Sequence, residues 1–241
     1  MLELEAIGVR FGGLRAVDAV SLVVGSEEIV GLVGPNGAGK TTLFNVISGT
    51  VTPSAGRVRF AGEDLGRLPS YRRARRGIGR SFQIPQPMHE LSVRENLRVA
   101  QRFGAGRIDA SEIDRVLELM RLEGKADADA ATALSLSELK ALEVAKALAT
   151  RPRLLLLDEV LAGLEPNAKR SFTVMLREVH ARYKLAILII EHDIETISTL
   201  CPRVAVLNFG RLIADGPPAT VFADRAVRES YTGIAAEDAR A

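Results

Sequence analysis

Three short runs along the chain are apolar at almost every position: IVGLV (Ile29–Val33), LLLLD (Leu154–Asp158) and AILII (Ala186–Ile190). A strand with one wet face alternates apolar and polar residues, so unbroken runs of this length predict strands covered on both faces of a parallel sheet. The second and third are each reached from a segment with helical spacing, which makes crossover helices the expected connection and α/β the fold class. Other stretches read differently. LELEAIGV (Leu2–Val9), VSLVV (Val20–Val24) and RVRF (Arg57–Phe60) are β-rich, bounded by Gly, Pro or Ser, and predict an antiparallel set.

From Ser92 to Thr150 the signals are helical, with no convincing strand. SVRE (Ser92–Glu95) has the capping-box spacing, and Ile113, Val116, Leu117 and Met120 recur on one helical face. This predicts a helical lobe inserted between two strands of the sheet. There is no internal repeat, low-complexity segment or Gly/Ser-rich linker, so one cassette over 1–241 with subdomains is expected: 1–84 and 151–233 as the α/β core with its antiparallel part, 85–150 as the helical part, and 234–241, IAAEDARA, as a fraying tail.

Composition narrows this only modestly. With 241 residues, 47% hydrophobic and 26% charged, the chain suits one large domain or two closely packed lobes. A formal charge of +2 offers no global electrostatic case for nucleic acid, so none is expected as a partner. Cys201 is the only cysteine, which excludes an intrachain disulfide and favours a reducing compartment. Glu3 and Glu5 stand near the start in place of a basic leader, and no apolar run reaches the ~18 residues of a spanning helix, so a soluble chain is expected.

The chemistry lies at the ends of the three apolar runs. After the first comes GPNGAGKTT (Gly34–Thr42), in which Gly34-x-x-x-x-Gly39-Lys40-Thr41 has the phosphate-cradle spacing between a strand and a predicted helix. Glycines let the backbone curl and turn its N–H groups inward at the positive end of a helix; Lys40 adds a charge, and the Thr41 hydroxyl suits Mg²⁺. After the second run stand Asp158 and Glu159. Asp158 suits a metal-bound water and Glu159 a general base, whereas a bland reading makes the pair a solvated helix cap. After the third comes His192, which could reach a γ-phosphate from the same side of the sheet, although a lone strand-end histidine is more often surface or core.

These residues resemble the ATP-binding subunit of an ABC transporter over residues 1 to about 233, with GPNGAGKT as Walker A, LLLLDE as Walker B and IIEHD carrying the switch histidine. The resemblance implies ATP and Mg²⁺ as cofactors, with Glu159, His192, Lys40 and Gln83 catalytic and Thr41, Gln83 and Asp158 at the metal. It assigns nucleotide binding to Gly34, Pro35, Asn36, Gly37, Ala38, Gly39, Lys40, Thr41 and Thr42, to Val17, and to Phe11 as an adenine-stacking ring. Taken alone, Phe11 reads more readily as core. RFGGLRAVDAVSL, GIGRSFQ, AGLEPN and ESYTG are most similar to the branched-chain amino acid importer type. That implies a second ATP-binding subunit, two permeases, a binding protein delivering substrate, and a peripheral place on the cytoplasmic face of the membrane. IPQPMHELSVREN, after Gln83, corresponds to the permease-facing groove.

Two departures stand out. The family signature, Leu-Ser-Gly-Gly-Gln or Leu-Ser-x-Gly-Gln, is LSLSE (Leu134–Glu138) here. Ser135 keeps the hydroxyl, but Ser137 adds a Cβ and Glu138 a negative charge on the side facing an anionic ligand, so this chain is expected to complete a partner's site poorly. Glu165 stands where the family often has Asp or Asn. The arginine run YRRARRGIGR (Tyr71–Arg80) reads as a solvated helix face ahead of the glutamine strand, with anionic-lipid or nucleic-acid binding as the minority reading. Alternatives to an import ATPase are a dimerising nucleotide switch that barely hydrolyses, a lipid-export relative, or a repair or translation ATPase. The last two would need a long heptad insertion or a second cassette, and neither is present.

Overall fold

The computed structural model of the chain describes residues 1–232, and the expected tail lies outside them. In chain order the elements are β1 (Leu2–Phe11), β2 (Leu14–Val24), β3 (Ile29–Val33), α1 (Lys40–Ser48), β4 (Ala55–Phe60), β5 (Glu63–Asp64), α2 (Ser70–Arg75), β6 (Ile78–Arg80), α3 (Val93–Gly104) and α4 (Ala110–Leu119). A single 3₁₀ turn (Glu123–Lys125) then leads to α5 (Leu136–Ala149), β7 (Leu154–Asp158), α6 (Pro166–Tyr183), β8 (Ala186–Ile190), α7 (Ile194–Leu200), β9 (Arg203–Asn208), β10 (Arg211–Gly216), α8 (Pro218–Val221) and α9 (Arg225–Thr232). The described residues divide into two compact units: 1–25, 29–67 and 190–232 form the first, and 26–28 with 68–189 the second.

In the first unit, β2, β1, β4 and β5 make the antiparallel sheet in that order. The apolar positions of β1 change parity between Leu4 and Ile7, and a bulge absorbs the change: the pairing shifts there, with Ala6 at φ 46°. All four of Leu2, Leu4, Ile7 and Val9 are thereby buried on one face. The same unit pairs β3 parallel to β9 and β9 antiparallel to β10. The β9–β10 turn runs through Phe209 and Gly210, both at positive φ, as a tight hairpin turn requires. Neither strand figures in the sequence reading, although β9 is apolar through most of its length.

The second unit contains β8, β7 and β6 in that order, with β6 and β7 parallel and Arg80 opposite Leu156. All five positions of β7 and of β8 are buried, as the unbroken apolar runs predict. Each fully buried leucine of β7 contributes about 1.5–3 kcal/mol. The stretch from Ser92 to Thr150 is helical and strand-free, Ser92 and Glu95 form the expected capping box, and Ile113, Val116, Leu117 and Met120 are buried. α3 and α4 pack on α5, which is buried around most of its circumference.

The arginine run corrects one expectation. α2 presents Arg72 and Arg75 outward around Tyr71, but Arg73 is only 1% exposed and its Nε donates to the Leu68 carbonyl at 2.9 Å. Arg80 leaves the run altogether, entering β6 and an ion pair. Runs of like charge conceal such differences because helical periodicity sends one residue in three or four inward.

Candidate nucleotide site

The glycine-rich loop lies wholly in the first unit. Gly34, Gly37 and Gly39 all have positive φ, and a Cβ on Gly34 would stand 2.0 Å from the Leu207 carbonyl oxygen, one on Gly39 2.5 Å from that of Ala16. The loop is pressed against β9 and β2, and a Cβ on Gly39 would also meet the Val17 side chain at 3.5 Å. The β9–β10 turn braces it further: the Gly210 amide donates to the Ala38 carbonyl at 3.0 Å, and the Asp18 amide donates to the Gly210 carbonyl at 2.8 Å. α1 then starts at Gly39 in the left-handed conformation, with no side-chain cap and no acidic residue in its first turn. Its leading N–H groups and dipole suit an anion supplied from outside the chain.

Lys40 is 6% exposed, and its Nζ donates to the Gly34 and Pro35 carbonyls at 2.7 and 3.0 Å. The lysine thus lies along the loop it follows. Phe11, at the end of β1, is 52% exposed, which excludes the core reading of that ring. His192 is exposed, just before Asp193, whose carboxylate caps α7 by accepting from the Glu195 and Thr196 amides. Tyr231, on α9, is a further residue here: burial pushes its hydroxyl up to about 12, with the Gly34 backbone pulling the other way. Cys201 is a buried thiol pushed up to about 12 by burial and by nearby Glu191, so it is no nucleophile at neutral pH.

The carboxylates and the glutamine lie in the second unit. Asp158 is 3% exposed at the end of β7, with Oδ2 at 3.2 Å from Arg80 Nη2, while its amide donates to Ser81 Oγ at 3.3 Å. The solvated-cap reading of Asp158 therefore fails. Burial pulls the Arg80 guanidinium below its ordinary value, and Asp158 offsets part of that. Glu159 is half-buried with φ 50°, an uncommon conformation for a residue with a Cβ. Gln83 Nε2 donates to its Oε2 at 2.6 Å, so two residues read separately as functional meet directly.

The LSLSE segment forms the N-terminus of α5, with Ser135 as the cap. Glu138 turns back on that cap: its Oε2 accepts from the Ser135 amide at 2.8 Å and from the Ser135 hydroxyl at 2.7 Å, while Lys125 Nζ donates to the same oxygen at 2.8 Å. Ser137 Oγ lies 3.2 Å from Ser135 Oγ. The charge expected to meet a ligand is thus paired within the chain. Partial burial works to raise the Glu138 pKa, but the hydrogen bonds from Lys125 and Ser135 prevail and hold it at about 2. A depressed folded pKa stabilises fully above the ordinary value of 4.5 and is lost as pH falls through about 2. Glu138→Ala is expected to cost about 1 kcal/mol at neutral pH, with the gap to the parent closing in acid; urea titrations across pH check it, and a gap independent of pH contradicts it.

Chemically, the loop supplies amide donors and a cation for phosphates. The side-chain oxygens that Thr41, Gln83 and Asp158 each carry are of the type Mg²⁺ takes. Among the described residues no group of three or more His, Cys, Asp or Glu could hold a metal by itself.

Comparison with known proteins agrees with this chemistry. Residues 17–162 match the ABC transporter family, and residues 211–237, which include Tyr231, match the branched-chain amino acid ATP-binding cassette transporter family. The chain is 34% identical to the high-affinity branched-chain amino acid transport ATP-binding protein BraF of Pseudomonas aeruginosa and to LivG of Escherichia coli K12, each over 98% of both chains. It is 37% identical to the methionine import ATP-binding protein MetN of Mesorhizobium japonicum, over 89% of this chain and 60% of that one. Among solved structures, the ADP conformation of an ATP-binding cassette of an ABC transporter superposes with a TM-score of 0.88 at 30% identity, covering 97% of this chain and 98% of that one. A nucleotide-free cassette gives 0.87 at 30% identity, with 96% and 98% covered. With its strand-end chemistry and its full-length relatives in accord, this chain belongs to the ABC transporter family as a nucleotide-binding ATP-binding subunit, most like those of branched-chain amino acid importers.

Proposed function

We propose that the chain hydrolyses ATP to energise uptake of branched-chain amino acids, or a related small solute, through two separate permease subunits, seated peripherally on the cytoplasmic face of the membrane. The observation that carries the hydrolytic reading is Glu159, held at positive φ at the end of β7 with its carboxylate on Gln83. The names of BraF, LivG and MetN support amino acid import as the task. No helix among the described residues is long and apolar enough to cross a membrane, which fits a division of labour with permeases.

In this reading, the amides of Gly34–Thr42 and the Lys40 ammonium bind and orient the phosphates, while Phe11 and Val17 bind the base. Thr41, Asp158 and Gln83 are the residues that would hold Mg²⁺, which when bound would neutralise phosphate charge. Glu159 takes a proton from water at its carboxylate, with Oε2 oriented by the Gln83 amide. His192 senses the terminal phosphate, and Ser135 with its neighbours serves the nucleotide of a second ATP-binding subunit. Co-purification of the tagged chain, followed by transport in vesicles, tests this: branched-chain amino acid uptake that needs ATP supports it, and recovery without any membrane subunit sinks it.

A second reading, a dimerising switch with slow turnover, draws on the Ser135 donors being engaged by Glu138. Both readings lead us to expect unequal turnover at the two sites of a heterodimer, with Ser137→Gly raising the slower rate. Equal rates at both sites, measured with single-site blocked pairs, would remove the case for asymmetry.

A further inference from the structure

Helix α5 carries three ionisable side chains at intervals of three, Lys140, Glu143 and Lys146, on one broad face. They are not solvated: Lys140 is 5% and Glu143 2% exposed, and the Lys146 side chain 14%. Burying an ammonium or carboxylate is costly unless its hydrogen-bonding groups are met. Here the partners are main-chain groups of Glu159 and Gln86, and Glu143 and Lys146 also meet each other. Lys140 Nζ donates to the Glu159 carbonyl at 3.0 Å, at the residue whose φ is 50°. A peptide in that conformation persists only where its surroundings over-determine it.

The other two residues grip the glutamine segment. Glu143 Oε1 accepts from the Gln86 amide at 2.8 Å and from Lys146 Nζ at 2.5 Å, and Lys146 Nζ donates to the Gln86 carbonyl at 2.6 Å. Gln86 lies three residues beyond Gln83, in a stretch without helix or strand from Ser81 to Glu90. With Gln83 on Glu159 at 2.6 Å, the bonds close into a ring: Glu159, Lys140, α5, the Glu143–Lys146 pair, Gln86, Gln83 and back to Glu159.

We propose that Lys140 is a positioning residue for hydrolysis, setting the main chain of Glu159, while the Glu143–Lys146 pair sets the segment that brings Gln83 to it. The helix that begins at Ser135 thereby fixes both halves of the Gln83–Glu159 contact. Displacement of α5 would be felt at Glu159 without any contact between α5 and the reacting atoms. This rests on the reading of Glu159 as the proton acceptor.

The test compares Lys140→Met, Lys140→Arg and Glu159→Gln in the full chain together with the subunits that co-purify with it, reading kcat, KM for ATP and the unfolding midpoint. A displacement of about 1 Å at a reacting group costs up to about 100-fold, so Lys140→Met is expected to lower kcat by about 10-fold with KM for ATP within about twofold. Lys140→Arg, which keeps a donor for the carbonyl, is expected to retain most of kcat. In a Glu143→Leu/Lys146→Met double variant, hydrogen exchange at the Gln86 amide is expected to rise and kcat to fall. An inactive Glu159→Gln beside a folded Lys140→Met with parental kcat overturns the inference alone, as does equal loss in Lys140→Met and Lys140→Arg. Unchanged phosphate release in Glu159→Gln removes the reading of Glu159, and this inference with it.

Discussion

Glu159→Gln is expected to lower steady-state phosphate release by about 10²–10⁴-fold while nucleotide binding persists. The substitution is nearly isosteric and keeps an oxygen able to accept from Gln83 Nε2, so the strand end retains its shape and loses only its proton acceptor. The residues of Gly34–Thr42 and α1, which bind phosphates in the proposed mechanism, are left as they are. Phosphate release and equilibrium binding of a fluorescent ATP analogue, measured on one preparation, check both halves. If release continues at the parental rate, the role assigned to Glu159 is wrong. Parallel loss of binding and release would indicate a structural role.

Gly34→Ala should be the most damaging single change in the loop. The new Cβ would meet the Leu207 carbonyl oxygen at 2.0 Å, and that oxygen belongs to β9, whose backbone is held by strands on either side. Neither partner yields cheaply, and the φ of 146° adds strain for any residue with a Cβ. A loss of about 2–4 kcal/mol in stability follows, with nucleotide affinity down by at least about tenfold as the loop opens. Gly37→Ala is the internal comparison: it shares a positive φ, 79°, but its Cβ meets nothing within 4 Å, so it should cost only about 1 kcal/mol. Denaturant unfolding of both variants decides the matter, since equal losses would mean that conformation, and not the close approach to β9, requires glycine at Gly34.

The candidate site was legible in proportion to how local its determinants are. The loop motif needs a strand before it and a helix after it, and both could be read within about twenty residues of Lys40. Asp158 and Glu159 stood out because two carboxylates end an otherwise apolar run. Arg80 was misplaced among its neighbouring arginines because its partner, Asp158, lies 78 residues on. Lys140 and Lys125 gave no sign at all. A lysine on a helix reads as solvated unless the acceptor it reaches is known, and these acceptors lie 19 and 13 residues away. Tyr231 belongs with them, since only the folded chain brings α9 to Gly34.

By itself, then, the sequence determined the α/β class, the buried strands β3, β7 and β8, the strand-free helical stretch, and the residue types at each strand end, because apolar periodicity and motif spacing act over a few residues. Tertiary structure alone decided that Gln83 holds Glu159, that Glu138 answers to Lys125, that β9 and its turn wall the phosphate loop, and that α5 grips Glu159 and Gln86 together. Those outcomes depend on strand register and helix packing between distant segments, where a shift of one residue would turn each side chain to another face.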